Sequence, residues 1–507
     1  MSLATVYTRA RFGLDAPEVT CEVDLSGGLP GLIIVGLVET AVKESRERVK
    51  AAIRQAGFVF PDRKITVNLA PADLPKAGSR FDLAIAIGIL VASGQVPRDR
   101  LDRHEFFGEL AFSGALRPVA GLLPALVQAG ESSRRCIVPA GCRAEVSLLH
   151  CAGILLADHL LSVARHLMGT KDLSEVVPAD LASATLPADG TEETFEDMAD
   201  ILGQYQGRRA LEIAAAGGHH MLMAGPPGTG KTMLARRLPG ILPPLSRAEE
   251  IDVVLLHSLS ATKIDRRYLQ RSFRAPHHTA SAAALVGGGR LPRPGEISLA
   301  HRGVLFLDEL PEFARNVLEA LREPLETGQI SIARADRTVK FPARFQLIAS
   351  MNPCPCGFSG DAERECRCSP DQVRRYQSRI SGPFMDRIEI SLVLNRGEFE
   401  ILPPGKPSGE TSAVVRERVM AAATHQRARS GRLNAQLSPA DLRVQCLPDM
   451  AGKKILRQAA RKFILSARAC DNILRVARTV ADLAGSDKVE ARYVSEALSL
   501  RNAWTEL

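Results

Sequence analysis

The stretch GPPGTGKT, Gly225 to Thr232, follows the apolar run HMLMA and leads into TMLARRL. It satisfies G-x-x-x-x-G-K-[ST] in the strand-to-helix setting that pattern requires. Gly225, Pro226, Pro227, Gly228, Thr229 and Gly230 then form a loop whose backbone N–H groups converge on phosphates at a helix N-terminus. Lys231 reaches the β- and γ-phosphates, and the Thr232 hydroxyl binds Mg²⁺.

A second segment completes the pattern. GVLFLDEL, Gly303 to Leu310, is an apolar run ending in two acids, about 75 residues after the loop. Asp308 at a strand end holds Mg²⁺ through water, and Glu309 polarises the attacking water. FQLIASMN is another buried strand and ends at Asn352, placed either to orient that water or to cap a turn. In SGPFMDRIEI, Arg387 stands just before a further apolar run. It is either a finger that stabilises transition-state charge in a neighbouring subunit or a surface ion pair with Asp386 or Glu389.

Strands alternate with helices from about 199 to 395, which predicts a parallel sheet with crossovers. The chain is 507 residues long, enough for about three domains. Upstream, residues 1–172 read as a separate α/β domain. GLIIVGL and KITVNLA are strands, ETAVKESRERVKAAIRQAG is an amphipathic helix closed at Gly57, and RFDLAIAIGILVASG is a buried helix. Residues 173–198, acidic and rich in small residues, read as a linker. Residues 396–435 read as a Pro/Gly-rich turn and a long helix, and 436–507 as almost all helix.

The N-terminus has no charged and apolar leader pattern, and no run approaches the ~20 residues of a membrane span. The expectation is a cytoplasmic protein without a membrane partner. The net charge is +8, and residues 396–507 carry 19 Lys and Arg against 12 Asp and Glu. That excess suits either an anionic partner such as nucleic acid or a solvated helical surface.

Four of the ten cysteines crowd into MNPCPCGFSGDAERECRC. Cys354, Cys356, Cys366 and Cys368 have the pattern C-x-C-G-x8-C-x-C, directly after Asn352. In a reducing compartment, structural Zn²⁺ is the first reading. Buried free thiols and redox-active pairs are the alternatives. His277 and His278 in PHHT lack neighbouring ligands in sequence and are read as pore or interface residues.

Phe273 to Glu326, FRAPHHTASAAALVGGGRLPRPGEISLAHRGVLFLDELPEFARNVLEALREPLE, strongly resembles the magnesium-chelatase-like AAA+ ATPases of the YifB/ComM family. So do GLPGLIIVGL and TVNLAPADLPKAGSRFDLAIAIGIL near the N-terminus. The resemblance implies a homo-hexameric ATP- and Mg²⁺-dependent motor on single-stranded and branched DNA. Its implied activity is branch migration during transformation or recombination, with recombinase–DNA filaments among its partners. It implies a sensor-2 arginine within SARACDNILRVAR, Arg468 first and Arg475 second. It also implies two hairpin inserts, one near LVGGGRLPRPGE and one in GQISIARADRTVKFPARF, where Arg334, Arg337 and Lys340 would meet DNA in a pore.

The N-terminal segment resembles the Lon protease fold. The family's nucleophile position falls on Arg80, and Ser79 is one residue early, so the resemblance implies a fold without the protease dyad. A metal-insertion ATPase like the chelatase motor subunit is the alternative function, and an ATP-dependent protease a third.

Overall fold

The computed structural model describes residues 3–37, 40–149, 151–176, 195–260, 269–289, 292–333, 338–361, 363–395 and 409–501. The first domain is built on one mixed sheet. Its strands are β1 (Leu3–Arg9), β2 (Glu18–Ser26), β3 (Gly31–Val35), β4 (Lys64–Ala70), β5 (His104–Phe106), β6 (Arg135–Pro139), β7 (Ile154–Ala157) and β8 (Ser174–Glu175). They lie in the order β8-β7-β6-β5-β1-β2-β4-β3. Alternation in β2 turns Val19, Cys21, Val23 and Leu25 inward, as period-2 patterning demands.

Helices α1 (Thr40–Gln55) and α2 (Asp82–Ala92) pack on this sheet. Residues 82–91 of α2 are all buried, because the run is apolar on every side. A Cβ at Gly88 would stand 2.5 Å from Val23 Cγ2, so only glycine lets α2 approach β2 this closely. The one acid in α2, Asp82, is buried at its first turn, where Arg48 Nε donates to it at 2.7 Å.

The central domain carries an all-parallel sheet of β9 (Met221–Ala224), β10 (Phe273–Arg274), β13 (Val304–Leu307), β16 (Gln346–Met351) and β17 (Ile390–Val393), in the order β10-β13-β16-β9-β17. Two short antiparallel pairs interrupt it. One joins β11 (Gly287–Gly288) to β12 (Arg293–Pro294), and the other joins β14 (Gln329–Ala333) to β15 (Thr338–Pro342). The strand carrying the phosphate loop, β9, is therefore interior, between β16 and β17. Strands like these, covered on both faces, read as continuous apolar runs.

Around the sheet lie α3 (Tyr205–Gly217), α4 (Lys231–Ile241), α5 (Arg247–Ser258), α6 (Arg322–Thr327) and α7 (Pro370–Gln377). The last part is helical: α8 (Ser412–Ser430), α9 (Met450–Lys462), α10 (Ala467–Leu483) and α11 (Ala491–Ser499). Val415, Val419 and Ala422 of α8 share one apolar cluster with α3, α4 and β9, so α8 is part of the ATPase core rather than a connector. Residues 396–408 before it lie outside the described residues. In the lid, the buried Asp482 carboxylate collects Arg429 Nη1 at 2.8 Å, Arg478 Nε at 3.0 Å and Asn434 Nδ2 at 2.8 Å. This satisfies a charge that could not otherwise be buried.

The 173–198 linker is shorter than its composition implies. Ser174 and Glu175 pair with β7, and Val176 is buried in the first domain. At the other end Met198 joins the ATPase core, and the Asp197 carboxylate accepts from Ser412 N at 3.0 Å. Residues 177–194 lie outside the described residues.

The first domain also docks on the second. Val254 of α5 enters the cluster of Leu122, Leu126 and Val138, and Arg247 donates to the Leu148 carbonyl. Phe12 and Leu14 pack beside Val339 and Phe341 of β15, and a Cβ at Gly13 would stand 2.7 Å from Val339 Cγ1.

Candidate ATP site

The phosphate loop leaves the buried end of β9 and enters α4. Gly228 and Gly230 adopt φ of +83° and +86°, the left-handed region where a side chain is strained. Gly225 faces the backbone of β17's exit, and a Cβ there would stand 2.3 Å from the Leu394 carbonyl oxygen.

The loop folds around its own lysine. Lys231 Nζ donates to the Gly225 carbonyl at 2.6 Å, to the Pro226 carbonyl at 2.9 Å and to Asn352 Oδ1 at 3.4 Å. Burial pushes the ammonium down to about 8, against the pull of Asp308 and Glu309. Thr232 Oγ1 donates to Asp308 Oδ2 at 3.0 Å, and Ser350 bonds the other oxygen of Asp308. Thr232 and Asp308 are thus held face to face, a hydroxyl and a carboxylate oxygen of the hard kind Mg²⁺ takes. When bound, Mg²⁺ neutralises charge on the terminal phosphates.

Glu309 follows in a left-handed turn with φ of +54°. Its carboxylate oxygen Oε2 lies 3.1 Å from His278 Nδ1. His278 stands on the segment after the edge strand β10, lies tilted against His277 at 4.2 Å between ring centroids, and meets Phe313 edge-on. The PHHT histidines therefore lie beside the nucleotide site, which the sequence alone does not show. Nothing in the local spacing announces this, because the contact joins segments that follow two adjacent strands.

The four cysteines lie against the same loop. Their Sγ atoms all lie within 4.8 Å of one another. Cys354 is 3.3 Å from Cys356 and 3.7 Å from Cys366, and Cys356 is 3.6 Å from Cys366. Tetrahedral Zn–S bonds of ~2.3 Å require S···S edges of roughly 3.8 Å, close to these. The amides of Ser359 and Cys368 donate to Cys354 Sγ and Cys366 Sγ at 3.3 and 3.4 Å, the outer support a metal ligand needs.

Desolvation works against a thiolate at Cys356, yet amides of Phe358 and Arg367 bring it down to about 6. An amide bond from Cys368 favours a thiolate at Cys366, but desolvation and the neighbouring thiols push it up to about 12. A cation is what lets all four ionise together. The residues fit Zn²⁺, which would fix the fold of this knuckle. Gly357, at φ of +86°, brings the knuckle onto the phosphate loop. A Cβ there would stand 2.8 Å from Pro227 Cδ.

Arg387 and Arg468 are elsewhere. Arg387 precedes β17, which runs parallel to β9, so it sits at the opposite end of the sheet from the phosphate loop. A four-residue strand alone spans ~13 Å. Arg387 pairs with Glu326 of α6 rather than with Asp386 or Glu389. Arg468 Nη1 lies 3.4 Å from the same Glu326. Arg344, Arg432 and Arg475 join them around a cavity of about 860 Å³. Arg475 is engaged as a lid strut, donating to the Leu437 carbonyl at 2.9 Å and to Asn472 Oδ1 at 2.8 Å. Arg468 is half-exposed, so it is the one of the two with freedom to reach a ligand.

The β14–β15 hairpin buries Ile330, Ile332, Val339 and Phe341 on one face. Lys340 is exposed on the other, opposite Ser331. Arg334 and Arg337 at its tip lie outside the described residues. In the first domain the Ser79 hydroxyl bonds Glu109, and Lys76 Nζ bonds the Pro71 carbonyl. Arg80 is a buried strut to the carbonyls of Ala120 and Gly121 at 2.9 and 2.8 Å.

Comparison with known proteins agrees along the whole chain. The family model described as magnesium chelatase, subunit ChlI, matches residues 197–402; subunit ChlI of Mg-chelatase matches 21–141; and the subunit ChlI C-terminal model matches 409–501. The uncharacterized protein YifB of Escherichia coli is 48% identical over 99% of this chain and 97% of its own length. The competence protein ComM of Haemophilus influenzae is 47% identical over 99% and 98%. The chain belongs to the YifB/ComM family of magnesium-chelatase-like AAA+ proteins.

The magnesium-chelatase 38 kDa subunit of Cereibacter sphaeroides is similar over only 30% of this chain, at 28% identity. Within the YifB/ComM family the AAA+ relationship points to an ATPase that uses ATP and Mg²⁺. Among the described residues, no helix is long and apolar enough to cross a membrane.

Proposed function

We propose that this protein is an ATP-driven DNA motor, a homo-hexameric ring that migrates branched DNA and helps integrate single strands in recombination or transformation. The observation that carries the ring is the division of the ATPase machinery between two ends of one sheet. Lys231, Thr232, Asp308, Glu309 and Asn352 gather at one end. Arg387 and Arg468 gather at the other, beside a cavity rich in arginine.

Arg387 Nε is buried with no hydrogen-bond partner among the described residues, which fits a guanidinium completed by something from outside. In this reading Arg387 is the finger and Arg468 the sensor for the γ-phosphate of the adjacent subunit. Glu326 holds both until that phosphate arrives. Glu326 also lies three residues before β14, so its release bears on the hairpin whose Lys340, with Arg334 and Arg337, would grip DNA. The name of the ComM relative supports a role in competence, where single-stranded DNA and recombinase filaments are the partners.

The test of this division is mixing. Lys231→Ala and Arg387→Ala are each expected to abolish ATP hydrolysis. Mixed rings regain up to about a quarter of wild-type turnover, because some interfaces pair an intact loop with an intact finger. No recovery on co-assembly sinks the shared-site reading. Turnover that needs a porphyrin-binding partner, and ignores DNA, selects the chelatase-like alternative.

A further inference from the structure

We infer that helix α9 is a second DNA-contacting surface, separate from the pore hairpins, that holds the phosphate backbone of a duplex arm outside the ring. Its sequence, MAGKKILRQAARK, has five cations and no acid. Lys453, Lys454, Arg457, Arg461 and Lys462 are all exposed. None of the five forms an ion pair among the described residues. Elsewhere in this chain many surface arginines have a carboxylate within reach: Arg374 pairs with Asp371, Arg379 with Glu312 and Arg492 with Glu490. A face left without counter-charges repels itself, and an anion relieves that.

The spacing suits a phosphate backbone. Lys453, Arg457 and Arg461 form one row, and Lys454 and Lys462 the next. Four residues of helix advance about 6 Å, and phosphates of one DNA strand advance ~3.4 Å along the duplex axis. The row therefore meets roughly every second phosphate.

The other face of α9 is committed. Gly452 and Ala459 are buried, and Ile455 and Leu456 pack into the core beside Val494 and Ala497 of α11. The helix cannot insert an apolar face into a bilayer, as an interfacial membrane helix must, so the charge is offered alone. Met450 and Ile464, strongly exposed at its two ends, are too far apart to serve as such a face.

The identity of the partner rests on the DNA-motor reading. The location does not, and one experiment separates them. The full-length protein and a Lys453→Gln, Lys454→Gln, Arg457→Gln, Arg461→Gln variant are titrated with a labelled three-strand junction and a labelled single strand between 50 and 300 mM salt. Both are also sedimented with phosphatidylglycerol vesicles. Each lost phosphate contact lowers the slope of log affinity against log salt by ~0.9.

The variant should lose about tenfold or more in junction affinity at 150 mM salt, and its slope should fall by about 3. Single-strand binding should change less, and DNA-free ATP hydrolysis and melting temperature should not change. A milder Lys453→Gln, Arg457→Gln variant should show about half the slope change, which guards against misfolding. Wild-type junction binding that the variant reproduces overturns the assignment of α9 alone. Vesicle binding lost in the variant, with DNA binding intact, overturns it in favour of a membrane surface. No DNA binding by the wild type overturns it together with the motor.

Discussion

Lys231 offers a test that depends on the nucleotide site alone. Its ammonium is buried in its own loop and sits at about 8. ATP phosphates arriving beside it restore the charged form, so binding above that pH must take up a proton. The free lysine is ~90% protonated at pH 7 and ~10% at pH 9, so proton uptake on binding rises from ~0.1 to ~0.9 and affinity falls about tenfold between the two.

The sign for stability is opposite. A folded value below the usual 10.5 means the unfolded chain binds more protons between pH 8 and 10.5. The free protein therefore gains stability as pH rises through that window, by up to ~3 kcal/mol. Calorimetric titration with a non-hydrolysable ATP analogue, in buffers of different ionisation enthalpy, measures the uptake. Lys231→Arg should bind with a flat pH profile, since arginine stays charged. Affinity of the wild type that is flat from pH 7 to 9, with no proton uptake, refutes the buried-lysine reasoning.

His278→Ala frees the Glu309 carboxylate from its 3.1 Å contact; a polar contact this exposed is worth up to ~1 kcal/mol. DNA-free turnover should rise by up to about fivefold, and His278→Asn should restore the low rate; a fall in both variants contradicts a restraining role. Gly357→Ala adds left-handed strain of ~1–2 kcal/mol and drives a methyl into Pro227. It should raise the KM for ATP several-fold while leaving DNA affinity unchanged, and an unchanged KM removes the contact between knuckle and loop. Metal analysis of purified protein should find one zinc per chain, lost in a Cys354→Ser, Cys366→Ser variant whose melting temperature falls by several degrees. Absence of zinc, with free thiols titrating normally, returns the loop to the thiol alternatives.

What the sequence reveals depends on how local each feature is. The phosphate loop and the acidic strand are readable because a strand, a turn and a helix N-terminus lie within a few residues, and the second acidic motif repeats that economy. The cysteine knuckle is readable as a cluster, but not its packing on Pro227, which needs the left-handed turn at Gly357. His278 meets Glu309 only because β10 and β13 are neighbours in the sheet, and a histidine pair gives no hint of strand order. Likewise Glu326 is one more helical glutamate until α6 is seen beneath Arg387 and Arg468.

The boundaries are the least legible features. Pro/Gly-rich composition suggests a break before α8, yet Val415, Val419 and Ala422 return that helix to the core. The docking of Phe12 and Leu14 beside β15 joins residues more than three hundred positions apart, and no periodicity carries such information.

The central claim is that ATP hydrolysis at this site moves branched DNA. It is tested most directly by incubating purified protein with ATP and fluorescently labelled three- and four-strand junctions, and separating the products. The account predicts exchange of strands that requires ATP and is abolished in Glu309→Gln. Hydrolysis of ATP that leaves the junctions intact, and that DNA does not stimulate, would contradict it.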